Sequence, residues 1–305
     1  MKPTLVILAA GMASRYGGNK QIDGFGPNNE TILEYSIFDA IRAGFGKVCF
    51  IIRKEHQVVF EEKFAKSING QVEVEYAFQE PQLTEYGFDE YIERSKPWGT
   101  GHALLAAKGA VKENFSVINA DDFYSLTAFQ QMANFLANDA NDDYFALLGY
   151  KIGKTLSDSG PVTRGVCAVS DTGELKRLDE RAKVYRNAES GIEFVQPDGT
   201  PGLLNDGDLV SMNFWGFTPA IFSLLEPLFV TFVQQNKQDP KAEFLIPEAA
   251  QILLQQGKAA FKVIPIDAPC FGVTYQEDKP LVKNELSELV EKGVYPKNLW
   301  NGVAV

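Results

Sequence analysis

Cysteine is scarce in this sequence of 305 residues: there are three, Cys49, Cys167 and Cys270. They are far apart, odd in number and set in apolar stretches, which excludes a disulfide framework and a cysteine-ligated zinc site and favours a reducing, cytoplasmic setting. Positive charge is also short. With 40 acidic against 29 basic residues the formal net charge is -11, which excludes a broad electrostatic footprint for nucleic acid or anionic lipid. An anionic ligand would have to be held by a few local cations. Long apolar runs are missing as well: residues 5–10 (LVILAA) are too few for a signal-peptide core with its cleavage site or for a membrane span, so no membrane partner is expected. There is no low-complexity tract, long linker or internal repeat, and in particular no hexapeptide β-helix repeat. Neither GxGxxG nor GxxxxGK[ST] occurs in the first glycine-rich loop, which removes the dinucleotide fingerprint and the P-loop.

What is present is ordinary globular composition, 45% hydrophobic and 23% charged, arranged as alternating strands and helices. Residues 5–10 read as a central parallel strand buried on both faces and ended by Gly11. Thr31 is placed to cap a helix whose apolar positions Ile32, Tyr35, Ile37, Phe38 and Ile41 recur at helical spacing until Gly44. The pattern then predicts a strand over 47–53, a helix over 55–68, a strand over 72–79, a helix over 101–110 and a strand over 115–120, followed at once by Asp121 and Asp122. Such alternation indicates βαβ crossovers in an α/β fold with a doubly wound, mostly parallel, Rossmann-like sheet. From about Lys151 the segments shorten, at 165–169, 175–178, 192–195 and 210–217, which favours hairpins and a smaller mixed-sheet portion. Helices over 219–235 and 241–256, a strand over 261–267 and a helix over 279–292 complete the chain. The expected division is an α/β portion over 1–150 and a mixed-sheet portion with C-terminal helices over 151–305, within one continuous domain.

Several short stretches carry chemistry. After the first strand, the small residues Ala9, Ala10 and Gly11 let a ring or phosphate approach the backbone, and Arg15 and Lys20 supply fixed positive charge. Gly99-Thr100-Gly101-His102-Ala103 stands just before a helical pattern, where it is either a glycine turn capped by Thr100 or a nucleotide contact. His102 reads as a helix-surface or packing residue. Asp121 follows a strand directly, at the carboxyl end of the sheet where doubly wound folds place ligands, and a hard carboxylate beside phosphates suits Mg²⁺. Asp122 is expected to hydrogen-bond the turn.

LAAGMASR followed by Lys20 resembles the signature of the nucleotidyltransferases that make nucleoside-diphosphate sugars and cytidylylated alcohol phosphates. The resemblance continues in order through residues 30–41 (ETILEYSIFDAI), GTGHA at 99–103, Asn119-Ala120-Asp121-Asp122, Leu178-Asp179-Glu180-Arg181 and the segment from Val210 to Phe217. It implies a nucleotidyltransferase-type fold and the reaction NTP plus sugar 1-phosphate giving NDP-sugar and pyrophosphate. By this resemblance Arg15 and Lys20 bind the triphosphate, and Leu8, Ala10 and Gly11 line the nucleotide. Gln79, Gly99 and Thr100 read a base, a pyrimidine being favoured, and Asp121 binds Mg²⁺. Glu180 binds sugar hydroxyls, Arg181 in place of the more usual lysine binds the sugar phosphate, and Asn213 contacts the sugar.

Two departures from the family stand out. The stretch from Glu80 to Trp98 is a long acidic and aromatic insertion, and Gly272 falls where sugar-type members carry a second metal-binding Asp or Asn. The alternatives left by the sequence are the same reaction on a phosphorylated alcohol, a glycosyltransferase on a similar fold, and a non-catalytic nucleotide-sugar sensor. The base, the acceptor and the oligomeric state are not written in the sequence.

Overall fold

The computed structural model describes residues 1–11, 24–68, 70–273 and 275–300. In chain order the elements are β1 (Thr4–Leu8), α1 (Ile32–Arg42), β2 (Lys47–Ile52), α2 (Gln57–Ile68), β3 (Glu73–Phe78), α3 (Thr100–Ala106), β4 (Phe115–Asn119), β5 (Asp122–Phe123), α4 (Leu126–Asn138) and β6 (Tyr144–Lys151). They continue with β7 (Val162–Val169), β8 (Leu175–Asn187), β9 (Gly191–Val195), β10 (Pro201–Leu204), β11 (Leu209–Phe217), α5 (Ala220–Asn236), α6 (Ile246–Gln255), β12 (Ala260–Ile266), β13 (Phe271–Gly272) and α7 (Lys279–Glu291).

Eleven strands form one sheet in the order β10-β9-β8-β7-β11-β4-β1-β2-β3, with β6 branching from β11 and carrying β12. β4, β1, β2 and β3 run parallel to one another, while β11 lies antiparallel to β4. β1 is indeed central and buried on both faces. Its Leu5 and Ile7 enter the core beneath α1, α2 and α4, and Val6 enters the core beneath α3, α5 and α6. That two-sided burial explains why the strand is a continuous apolar run rather than an alternating one.

Thr31 caps α1 through a full capping box: Glu34 N–H donates to its hydroxyl at 3.2 Å, and its own N–H donates to Glu34 Oε2 at 2.8 Å. Among the elements not singled out in the sequence are α4, which buries Ala128, Phe129, Met132, Phe135 and Leu136 at helical spacing, and β6, along with the short strands β5, β10 and β13. The helix expected from residue 241 begins only at Ile246, because the preceding segment is extended and hydrogen-bonds the end of the insertion. Phe244 N–H donates to the Trp98 carbonyl, and Gly101 N–H donates to the Phe244 carbonyl, both at 2.8 Å. The mixed portion is not a separate sheet either, since β7 pairs directly with β11.

α1 is tied to the C-terminal segment by a buried polar contact. Tyr295 OH donates to Asp39 Oδ2 at 2.5 Å, and Arg42 lies 3.6 Å from Asp39 Oδ1. Burial pushes the Asp39 carboxyl up to about 7 against the lowering effects of Tyr295 and Arg42. The folded chain therefore holds this proton more tightly than the unfolded chain, in which an Asp titrates near ~4. Stability from this group is fully present below that value and is lost as pH rises through about 7. Asp39→Asn, which keeps an acceptor for Tyr295, should flatten this part of the stability profile and raise Tm at pH 8 by a few degrees. Thermal melts between pH 5 and 8 with the same slope in both proteins would contradict this.

Candidate active site

Strand register brings four chain exits to one edge of the sheet. Leu8 at the end of β1 pairs with Ile51 and with Asn119, and Ile52 pairs with Phe78. The residues that leave the parallel strands here are therefore Ala9 to Gly11, Arg53, Gln79, and Ala120 with Asp121. Ala9 and Ala10 are buried, whereas among the described residues nothing lies within 4 Å of where a Gly11 side chain would stand. The structure thus brings Leu8, Ala10, Gly11, Gln79 and Asp121 to a common edge. Arg15 and Lys20 lie outside the described residues.

The next strand, β11, arrives at this edge with a bulge. From Ser211 to Trp215 it advances four residues while β6 advances two, from Gly149 to Leu147. Asn213 sits in the bulge with a left-handed φ of 61°. Its side chain stabilises that conformation: Nδ2 donates to Asn119 Oδ1, and Trp215 Nε1 donates to Asn213 Oδ1, both at 2.7 Å. Asn119 Nδ2 in turn donates to Asp122 Oδ2 at 2.9 Å. The Tyr124 hydroxyl accepts from Asn119 N–H and lies closer to the Met212 carbonyl, 3.0 Å, than to Asp122, 3.4 Å. Asn213 is therefore wedged between an indole and an amide.

Asp121 and Asp122 are distinguished by these contacts. Burial, and then the neighbouring charge of Asp121, push the Asp122 carboxyl up to about 6, opposed by the Asn119 hydrogen bond and the positive charge of Arg164. Gly272 pairs with Asp122 across β13 and β5. A Cβ at position 272 would stand 2.2 Å from Asp122 Oδ1 and 2.9 Å from the Asp121 carbonyl oxygen, so this approach requires glycine. Asp278 is turned to other work, accepting from the Ser157 hydroxyl at 2.7 Å and from Tyr275 N–H at 2.8 Å. Among the described residues no three His, Cys, Asp or Glu side chains are grouped to hold a metal ion. A cation that tolerates one carboxylate completed by water and phosphate oxygens still fits such an edge, and Mg²⁺ is of that kind.

β8 separates Glu180 from Arg181. In the pairing of β7 with β8, Gly165 opposes Glu180 and Arg164 opposes Arg181, so the two neighbours point to opposite faces. Glu180 shares its face with Gly165 and Ser211, which pair across β7 and β11, and lies within electrostatic reach of Glu248 on α6. Arg181 lies 3.3 Å from Asp179, with its guanidinium 4.8 Å from the centre of the Phe194 ring, in a groove of ≈ 310 Å³ that also takes in Arg177 and Leu203. Arg164 was missed in the sequence. Its Nε donates to Thr155 Oγ1 at 3.1 Å, another nitrogen donates to the Thr155 carbonyl, and its charge acts on Asp122. Only its place beside Gly165 in a strand could have marked it.

A second group of contacts is built around Gln79. Its Nε2 donates to the Gly99 carbonyl at 3.0 Å and lies 3.3 Å from His102 Nδ1. Gly99 has a φ of 96°, and a Cβ there would meet the Phe244 carbonyl oxygen at 2.5 Å. Thr100 is not the helix cap; its hydroxyl accepts from Ile246 N–H at 3.1 Å and joins α3 to α6. His102 is 2% exposed and stacked on Phe229 at 4.7 Å, so it packs and does not lie on the surface. The insertion is part of the core, burying Leu83, Phe88, Ile92 and Trp98, with Arg94 stacked 3.7 Å from the Trp98 ring centre.

Asn213→Ala removes the partner of a fully buried indole N–H and leaves, in a left-handed position, a residue whose side chain forms no hydrogen bond to stabilise it. It should cost about 2–3 kcal/mol. Urea denaturation giving less than about 0.5 kcal/mol, the scale of an ordinary surface substitution, would show that the bulge does not depend on this side chain.

No helix among the described residues is long and apolar enough to cross a membrane. Comparison with curated proteins gives no match. Solved structures share the fold. The inositol-1-phosphate CTP transferase from T. maritima superposes with a TM-score of 0.60 at 12% identity, over 95% of this chain and 97% of that one. A putative glucose-1-phosphate thymidylyltransferase from Bacillus anthracis, in complex with a sucrose, gives 0.59 at 13% identity over 93% and 94%. A UDP-glucose pyrophosphorylase complexed with UDP-glucose gives 0.57 at 16% identity over 94% and 99%. The family model described as nucleotidyl transferase matches residues 6–268, most of the sequence, and on that match the chain belongs to the nucleotidyl transferase family and is a nucleotidyltransferase.

Proposed function

We propose that the chain transfers a nucleoside monophosphate from an NTP to a sugar 1-phosphate, releasing pyrophosphate and an NDP-sugar. The observation that carries the reading is the common edge: Gly11, Gln79 and Asp121 leave parallel strands together, and the Ser211–Gly165–Glu180 row continues the same sheet beyond them. Gly165 has no side chain, and the Leu178 side chain covers the space beside it, so an acceptor would meet the row at Glu180 and Ser211. The division of labour follows the chain, with 1–150 serving the nucleotide and 151–305 the acceptor. The three cysteines are buried and unpaired, which suits a cytoplasmic setting.

The reaction needs positioning and charge neutralisation more than proton transfer. A phosphate monoester has its second pKa near ~6, so its attacking oxygen is largely ionised at neutral pH without a general base. Leu8, Ala10 and Gly11 would border the nucleotide, Gln79, Gly99 and Thr100 its base, and Arg15 and Lys20 the leaving pyrophosphate. Asp121 would hold Mg²⁺, which when bound supplies positive charge to the reacting phosphates. Glu180 would accept from acceptor hydroxyls, and Asn213 would border them with whatever hydrogen-bonding capacity its ties to Asn119 and Trp215 leave. The likeness in fold to an inositol-1-phosphate CTP transferase supports a second reading, a cyclic or open-chain alcohol phosphate as acceptor.

Pyrophosphate release across a panel of NTPs with sugar 1-phosphates and alcohol phosphates tests the reaction directly; no release with any pair would refute it. Asp121→Asn should lower turnover at least about 10²-fold, and far more than Asp122→Asn, because a neutral amide is a poor ligand for a hard cation. Equal losses, or turnover surviving excess chelator, would contradict that order.

Glu180→Ala should raise the acceptor KM by about tenfold or more while leaving NTP affinity unchanged, since a hydrogen bond to a charged group is lost. Arg181 reaches an acceptor phosphate only by leaving Asp179, so Arg181→Ala should cost less than Glu180→Ala. Acceptor kinetics that reverse this ranking would make Arg181 the main acceptor contact.

A further inference from the structure

Gln79 and His102 meet beneath the base side of the edge. The Gln79 amide nitrogen donates to the Gly99 carbonyl oxygen at 3.0 Å, and a carbonyl oxygen only accepts. This contact favours the amide with its nitrogen inward, against the usual freedom of a glutamine to exchange its two ends. His102 Nδ1, 3.3 Å from the same nitrogen, takes the second N–H. The imidazole cannot turn away, because it is stacked at 4.7 Å and 11° on Phe229 and meets the Tyr86 ring edge-on at 5.9 Å. Burial, helped by the positive charge of Arg94, holds its pKa down to about 3, so the ring is neutral at physiological pH. With Nδ1 accepting, its proton resides on Nε2. Both Gln79 amide hydrogens are thus engaged within the protein, and what the side chain offers a ligand is the acceptor Oε1.

We propose that His102 is a positioning residue that fixes the hydrogen-bond polarity of the base site, selecting nucleoside triphosphates whose base presents a ring N–H: uracil, thymine or guanine over cytosine or adenine. The inference rests on the reading that Gln79 faces the base. Uracil and thymine carry hydrogen on N3 and guanine on N1, and each can donate to Oε1. Cytosine N3 and adenine N1 present a lone pair, which opposes the lone pairs of Oε1. A glutamine free to turn over would serve both groups equally. His102 and Gly99 remove that freedom, so discrimination comes from the contact that cannot be made as much as from the one that is.

The test compares kcat/KM, and nucleotide affinity by calorimetry, for UTP, dTTP, GTP, CTP and ATP in the wild type and three variants. The wild type should favour members of the first three over CTP and ATP. His102→Phe keeps an aromatic ring against Phe229 but removes the acceptor, and should shrink that ratio by about tenfold, the value of one hydrogen bond. His102→Asn can present an oxygen to Gln79 and should retain most of the ratio. A merely structural role would lower all five nucleotides in parallel and damage His102→Asn at least as much. A ratio unmoved in His102→Phe, or a wild type that prefers CTP or ATP, overturns the inference. Gln79→Ala separates the two levels: unchanged base preference in that variant overturns the placement of Gln79 at the base. A preference altered in Gln79→Ala but not in His102→Phe overturns the role of His102 alone.

Discussion

The candidate site depends on how an antiparallel strand is kept beside a parallel one. β11 pairs with β4 only across three positions, Phe115 to Val117, before its bulge carries it away. Where the backbone ladder stops, side chains take over. Trp215, Asn213, Asn119 and Asp122 form one hydrogen-bonded run across the gap. Each member satisfies a polar group that would otherwise be buried without a partner, a loss worth more than the bond itself contributes. The run also offsets the left-handed backbone at Asn213. Asp122 is thus absorbed into this structural run, while the adjacent Asp121 stands just past the end of β4.

A chain of net charge -11 that acts on phosphates has to place positive charge locally. Arg164 shows what that costs. Burial works against its charge, and the carboxylate of Asp122 works in its favour. A guanidinium so placed is held in orientation by Thr155, whose own side chain is buried. Such a fixed cation partly offsets the repulsion between Asp121 and Asp122. An unpaired pair of carboxylates at this edge would oppose the approach of any phosphate.

Local pattern made the fold legible. β1, α1, β2, β3, β4 and β12 stand close to where apolar runs and caps place them, because each is decided by residues within its own segment. Face assignment in β8 was not legible, since it depends on pairings at a distance. Glu180 and Arg181 read as one motif, yet adjacent residues of a strand point apart. The bulges in β8, one beside Lys183 with its φ of 53°, set which face each takes. The start of α6 was misjudged for a similar reason, as Phe244 is claimed by Trp98 and Gly101 from another part of the chain. The Gln79–His102 contact joins a strand end to a helix, and no spacing rule connects them. Arg15 and Lys20 lie outside the described residues, so their expected roles rest on the sequence.

The two sides of the site are built to different stiffness. Around Gln79, the insertion, α3, α5 and α6 share one large core, and the partners of its side chain are backbone and a stacked ring. Rigid partners of that kind favour fixed hydrogen-bond polarity, which is what distinguishing one base from another requires. β7 to β10 are backed in part by a small core of Ile152, Val162, Val184, Ile192, Phe194 and Val210, while Cys167, Leu175 and Leu178 of β7 and β8 join the large core. Few buried contacts mean a low free energy of local opening. The outer strands β9 and β10, which add residues only to the small core, can adjust more readily, whereas a change at Gln79 would have to disturb the main core. If Gln79 takes the base and the later strands take the acceptor, variation in the acceptor is easier for this architecture to accommodate than variation in the base.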